Sequence, residues 1–224
     1  CYLLIESEAY SVCLIDKDFS GADCARLEQL EQIERVTLDV TDEKALANLF
    51  KQRQFDAVLS SLPYFCNALV AKCAKQANCH YFDLTEDVKV TDAVKKLAKG
   101  AKKAFVPQCG LAPGFISLVA NSLIQRFQKP RSVRMRVGAL PVNSNNALQY
   151  SLTWSTDGLL NEYANPCHAI RHGKEVILHP LEGIERIQID GMSYEAFNTS
   201  GGVGGLAELY DGKLKTLNYK TIRY

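Results

Sequence analysis

The sequence predicts an α/β fold: a Rossmann-type, doubly wound parallel sheet followed by a second, α+β unit whose sheet is mostly antiparallel. Three observations predict it. Short apolar, β-branched runs alternate with stretches of helical period through residues 10–107. The strand candidates in that part are largely continuous apolar runs, as in a parallel sheet covered on both faces. Beyond residue 114 strands follow one another with little helix between them, the mark of antiparallel pairing.

Taken in order, Tyr10–Asp16 (YSVCLID) reads as a strand ending in an acid, and Cys24–Ile33 as the helix after it. The pattern recurs as strand Arg35–Val40 with helix Asp42–Lys51, strand Asp56–Ser60 with helix Asn67–Ala77, and strand His80–Leu84 with helix Asp92–Lys102. Ala104–Pro107 is a last short strand. Proline and two glycines in Gly110–Gly114 (GLAPG) break the rhythm, so a boundary is expected at residues 112 and 113, before a helix at Phe115–Phe127. The second unit then offers strands at Val133–Val137, Gln149–Thr153, Glu175–Leu178, Ile184–Ile189 and Leu217–Ile222, with one short helix at Asp157–Tyr163.

Composition narrows the function classes. Hydrophobic residues make up 47% and charged residues 23% of 224, ordinary globular usage. A net charge of +1 gives no basic field to displace counterions, which argues against nucleic acid. The cluster Lys95–Lys103 alternates with apolar residues and reads as the solvated side of a helix. Eight cysteines include no CxxC pair, and Cys79-His80 and Cys167-His168 are adjacent, so no metal site is expected. With no visible signal peptide and no apolar run near the roughly 20 residues that cross a bilayer, a soluble, cytoplasmic protein is expected.

Ligands of an open parallel sheet gather at the carboxyl ends of its strands. Asp16 is there, where an acid bonds the ribose hydroxyls of NAD and repels a 2′-phosphate; the alternative is a loop acid capping the next helix. NAD is therefore expected over NADP. The glycine fingerprint normally precedes that acid by about 20 residues, which places it before Cys1. No GxGxxG occurs, and the glycines at 201, 202, 204 and 205 read as a loop. The first strand and glycine-rich loop are thus expected to be missing, with Cys1–Ile5 the apolar end of a helix. Asp39 and Val40 are candidates for the adenine rim, with Asp39 and Thr41 equally suited to helix capping. Ser60, Ser61, Leu62 and Pro63 offer close backbone approach to phosphate or ribose, or a simple turn. Asp83, Leu84 and Thr85 lie nearest the expected nicotinamide end. Asp83 is the candidate for proton transfer, with capping as its alternative; His80, earlier on that strand, is the other titratable group.

The order and spacing of SSLP (Ser60–Pro63), YFDLTED (Tyr81–Asp87), CGLAPGF (Cys109–Phe115), FNTSGG (Phe197–Gly202) and KTIRY (Lys220–Tyr224) resembles the saccharopine dehydrogenase family, closest to its lysine 6-dehydrogenase branch. The resemblance spans nearly the whole chain. It implies an enzyme that exchanges hydride between a nicotinamide cofactor and a carbon bearing an amine or imine on an amino acid, saccharopine or L-lysine. It also implies a second domain that binds substrate and forms a homodimer contact. Gly110 joins the cofactor set. For the substrate carboxylate, Arg223 is the first candidate and Lys220 the second; three residues apart on one strand, they point to opposite faces. Trp154, Ser155 and Thr199 are candidates for the pocket wall, with Trp154 equally placed for the core. A carboxynorspermidine-type dehydrogenase and a non-catalytic nucleotide-binding or regulatory protein are the competing readings.

Overall fold

The computed structural model of the chain describes residues 2–21, 33–143 and 145–224. A short helix α1 (Tyr2–Glu6) leads into five parallel strands held in two sheets. β1 (Val12–Asp16) pairs with β2 (Ile33–Thr37), Asp16 lying opposite Thr37. β3 (Ala57–Ser60), β4 (His80–Asp83) and β5 (Phe105–Val106) form the second, Ser60 lying opposite Asp83. Paired strands therefore end level, and their carboxyl ends make a common rim. Ile33 is a correction: expected to close a helix, it opens β2, buried opposite Val12. The rest of that helix lies outside the described residues.

Helices α2 (Glu43–Arg53), α3 (Asn67–Gln76) and α4 (Val88–Ala98) pack on this half. Their apolar faces meet in a core of Leu46, Phe50, Val70, Ala71, Ala74, Tyr81 and Val94. Asp42 caps α2 by accepting from the Ala45 amide at 3.0 Å, and Asp87 caps α4 by accepting from Val90 at 2.7 Å. That second cap starts α4 four residues before the expected Asp92. The chain has left the helix by Gly100, whose φ is +73°.

α5 (Phe115–Gln125) opens the second half, Ala120 and Ile124 facing a core with Met135, Ile170, Val203, Leu206, Leu217 and Tyr219. Its sheet has the order β8 (Lys174–Leu178), β7 (Cys167–Arg171), β11 (Thr216–Arg223), β10 (Met192–Asn198), β9 (Glu185–Ile189), antiparallel throughout. β6 (Ser132–Val137) lies parallel against β11. Helices α6 (Thr156–Ala164) and α7 (Leu206–Tyr210) complete the unit.

β7, β10 and α7 are absent from the expectation, although two-residue turns mark both missing strands. His172-Gly173 joins β7 to β8 with φ of 52° and 84°, and Asp190-Gly191 joins β9 to β10 with 51° and 80°, the paired positive φ of a tight hairpin. The expected strand Gln149–Thr153 does not form. Gln149 has φ +49°, and the Asn146 carboxamide accepts from the Leu148 amide (3.1 Å) and donates to the Tyr150 carbonyl (2.8 Å), curling the segment on itself.

Candidate active site

The rim of strand ends is built mainly by residues that fasten their own loops. Asp16 accepts from the Asp18 amide at 3.1 Å, and Asp39 from the Thr41 amide and hydroxyl at 2.9 and 2.7 Å. Those hydrogen bonds hold the Asp39 carboxyl below the usual range. Lys17 joins them, its charge felt by both Asp39 and Cys66. Ser60 is buried and donates to Asn67 Oδ1 at 2.6 Å, so its hydroxyl is spent inside the protein. Val40 and Leu62 pack on the core beneath, and Pro63 opens a single 3-10 turn, Tyr64–Cys66. Ser61 and Leu84 are exposed. Gly110 sits against Leu84: a Cβ there would meet the Leu84 carbonyl at 3.4 Å. Gly114, with φ +132°, has no room for a Cβ, which would fall 2.1 Å from the Gly110 oxygen. The GLAPG turn is thus closed on itself beside Leu84.

Asp83, the candidate for proton transfer, is held inside the protein. It is fully buried, accepting from Tyr81 Oη at 2.7 Å and from the amides of Thr85 and Gln108, each at 3.0 Å. Both oxygens are engaged, so the side chain positions the loops after β4 and β5. His80 Nδ1 accepts from the Ala104 amide at 3.0 Å, at the other end of β4.

The residues expected to hold substrate separate. Lys220 turns to the Gly183 carbonyl (2.5 Å) and to Glu185 (2.9 Å), which also binds Arg136; its charge is neutralised within the sheet. Arg223, on the other face of β11, donates to Tyr163 Oη at 3.0 Å and to the Ile222 carbonyl at 2.8 Å, with its guanidinium 4.4 Å from the Tyr150 ring centre. Among the described residues no carboxylate forms an ion pair with it. Trp154 is half exposed and donates to Tyr150 Oη at 3.2 Å, so it stands beside that tyrosine. Ser155 accepts from the Gly158 amide at 3.1 Å and caps α6, a structural task. Thr199 is buried against Thr221 (2.7 Å) and lines, with Thr91, Gln108, Gly201 and Val203, a cleft of about 200 Å³ between α4 and the second half.

Two acids escaped the sequence reading. Glu86, in the loop after β4, and Glu162, in α6, are both buried, and their charges oppose one another. Burial foremost, then Glu86, pushes the Glu162 carboxyl up to about 8, against a smaller lowering by Arg223. Glu86 is raised as well, again chiefly by burial. Glu86 stood inside the YFDLTED motif and Glu162 inside the expected helix. Only the tertiary fold brings them together. Among the described residues no group of three or more His, Cys, Asp or Glu is placed to hold a metal, and no helix is long and apolar enough to cross a membrane.

Level parallel strand ends, joined to an antiparallel unit that meets them across a cleft, place the chain in the class of Rossmann-type proteins with an added α+β domain. The chain belongs to the saccharopine dehydrogenase family: residues 2–107 match the family model "Saccharopine dehydrogenase NADP binding domain" and residues 110–224 match "Saccharopine dehydrogenase C-terminal domain". It is similar to an alpha-aminoadipic semialdehyde synthase of Arabidopsis thaliana, 30% identical over 171 residues that cover 74% of this chain and 15% of that protein. It is also similar to saccharopine dehydrogenase [NADP(+), L-glutamate-forming] of Schizosaccharomyces pombe, 30% identical over 150 residues, 63% of this chain and 32% of the relative. The chain therefore spans a third or less of these relatives. The apo structure of saccharopine dehydrogenase (L-Glu forming) from Saccharomyces cerevisiae has the same fold, with TM-score 0.75 and 21% identity over 100% of this chain and 52% of that one.

Proposed function

We propose that this chain serves a nicotinamide-dependent oxidoreductase acting on the carbon–nitrogen bond of an amino acid, saccharopine first and L-lysine second. The observation that carries the reading is Arg223, a cation without an ion pair among the described residues, held by Tyr150 and Tyr163 where the two halves meet. A guanidinium fixed on aromatic faces keeps its fork of donors in one plane, the geometry that grips a carboxylate. The nicotinamide, when bound, supplies or accepts the hydride. The chain's own residues provide the rim, with Asp16, Lys17, Ser61, Leu84 and Gly110 on it, and the carboxylate clamp.

NADP is the cofactor we favour, a reversal of the expectation drawn from Asp16. The matched family model and the Schizosaccharomyces pombe relative both carry NADP in their names. In addition, Asp16 is turned towards the Asp18 amide while Lys17 sends positive potential across the same rim. A homodimer, a domain boundary at residues 112 and 113 and a cytoplasmic location belong to the same reading. The described cysteines, all unpaired, accord with a reducing compartment.

Nicotinamide absorbance, followed with NADP or NAD and with saccharopine, L-lysine and carboxynorspermidine in turn, tests this. Turnover with saccharopine is expected. Arg223→Ala is expected to raise KM for it about a hundredfold, the scale of losing a charge-assisted clamp. An unchanged KM in the variant would remove Arg223 from the site.

A further inference from the structure

Three chain segments converge beside Arg223 and lock Glu86 and Glu162 in place. The Ser200 amide donates to the Glu162 carbonyl at 3.0 Å, and Asn161 Nδ2 donates to Glu86 Oε1 at 3.2 Å. Gly201, with φ +83°, lets the loop after β10 close on Glu86, whose carbonyl lies 2.7 Å from where a Cβ would be. The two acids are not held alike. Glu86 has Asn161, whereas the carboxyl of Glu162, a residue only 7% exposed, accepts no hydrogen bond among the described residues. Wholly buried side-chain polar atoms among those residues all have partners, so the Glu162 oxygens keep a small contact with solvent. Buried carboxyls are normally hydrogen-bonded; this one is left without a partner among the described residues at a domain junction, within reach of the charge of Arg223.

We propose that Glu162, backed by Glu86, receives a protonated amine of the ligand, set against Arg223 as the receptor for a carboxylate, so that the junction selects an amine-bearing amino acid. The inference rests on the functional reading above for its class of ligand. Both signs of charge are then met by buried partners of opposite sign, and a dicarboxylate without an amine leaves Glu162 unpaired. The groups that sense or set the Glu162 charge are Glu86, Arg223, Tyr163, Tyr219 and Cys167. Burial and Glu86 keep a proton on Glu162 at neutral pH. An ammonium arriving within contact reverses that balance: the carboxyl O–H bond breaks, its electron pair stays on the carboxylate, and the proton leaves to solvent while the ammonium keeps its own.

Calorimetric titration of the whole enzyme at pH 7, in two buffers of different ionisation enthalpy, reads that proton directly. Saccharopine is expected to bind with release of close to one proton, and glutarate, which lacks the amine, with none. Glu162→Gln, checked for folding by circular dichroism, is expected to bind saccharopine at least tenfold more weakly and to release no proton. For the wild type, saccharopine affinity is expected to rise with pH up to about 8. Binding without proton release, equal release from Glu162→Gln, or no binding of saccharopine or L-lysine overturns the proposal. Turnover measured in parallel separates the two readings. Proton-coupled binding without nicotinamide turnover upholds the amine receptor and sinks the oxidoreductase, whereas turnover with an unimpaired Glu162→Gln does the opposite.

Discussion

In the parallel half, Asp16, Asp18, Asp39, Asp42, Asp83 and Asp87 each accept a backbone N–H two or three residues further along the chain. At the junction with the antiparallel half, Glu162 accepts no such bond and Arg223 meets aromatic rings in place of a carboxylate. Side-chain length explains much of the difference. The single methylene of Asp brings its carboxylate back onto the next turn of its own loop, while Glu reaches past it. Acids at strand ends are therefore chiefly fasteners, and groups without local partners are the ones available to a ligand.

The contrast breaks first at Asp83, if it breaks. Asp83→Ala should cost roughly 3 kcal/mol of stability, since it strips partners from Tyr81 Oη and from the amides of Thr85 and Gln108; denaturant unfolding measures it. A variant of wild-type stability that has lost turnover would return Asp83 to the chemistry.

Next comes the pH dependence at Glu162. Its carboxyl titrates near 8 in the fold against an ordinary 4.5, so the folded state holds a proton that the unfolded chain has released between those values. That contribution is fully present below about pH 4.5 and is lost as pH rises towards 8. Between pH 6 and 8 the wild type should lose roughly 2 kcal/mol relative to Glu162→Gln, at about 1.4 kcal/mol per unit. Thermal melts of both proteins across that range sharpen the comparison, and parallel curves would place Glu162 in an ordinary solvated setting.

The smallest effect is expected at Asp16. Asp16→Ala should leave the melting temperature unmoved and NADP affinity within about threefold, while Lys17→Ala weakens NADP about tenfold and NAD hardly at all, the scale of one exposed charge on a phosphate. Equilibrium fluorescence of the bound nucleotides decides it. A tenfold loss of NAD alone in Asp16→Ala would reinstate the ribose contact.

These outcomes bear on how far the sequence could be read. The parallel half was legible because each strand and helix there is a local pattern, and the caps that displaced α4 lay in plain view at Asp87. In the second half, β10 is hard to read because Met192–Asn198 mixes polar and apolar residues on a strand exposed at its start and buried towards its end, though the Asp190-Gly191 turn announces it. The site was harder. Arg223 was recognisable from KTIRY, and its separation from Lys220 followed from strand geometry. Asp83 and Ser60 lie at the strand ends where the sequence places them, yet their side-chain hydrogen bonds with Tyr81 and Asn67 could not be read from that address. Glu86 and Glu162 became visible only through contacts made across the domain junction.

β11 runs between β6 on one flank and β7 and β10 on the other, and its last strand residue is Arg223. A strand clasped on both flanks cannot slide, because a slip of one residue would exchange Arg223 with a neighbour on the opposite face and unseat Leu217 and Tyr219 from the core. On the proposed reading it is a fixed gauge against which the ligand's carboxylate is set. A change in the length of the accepted ligand is expected, on the function proposed above, to fall on other segments, while β11 stays fixed.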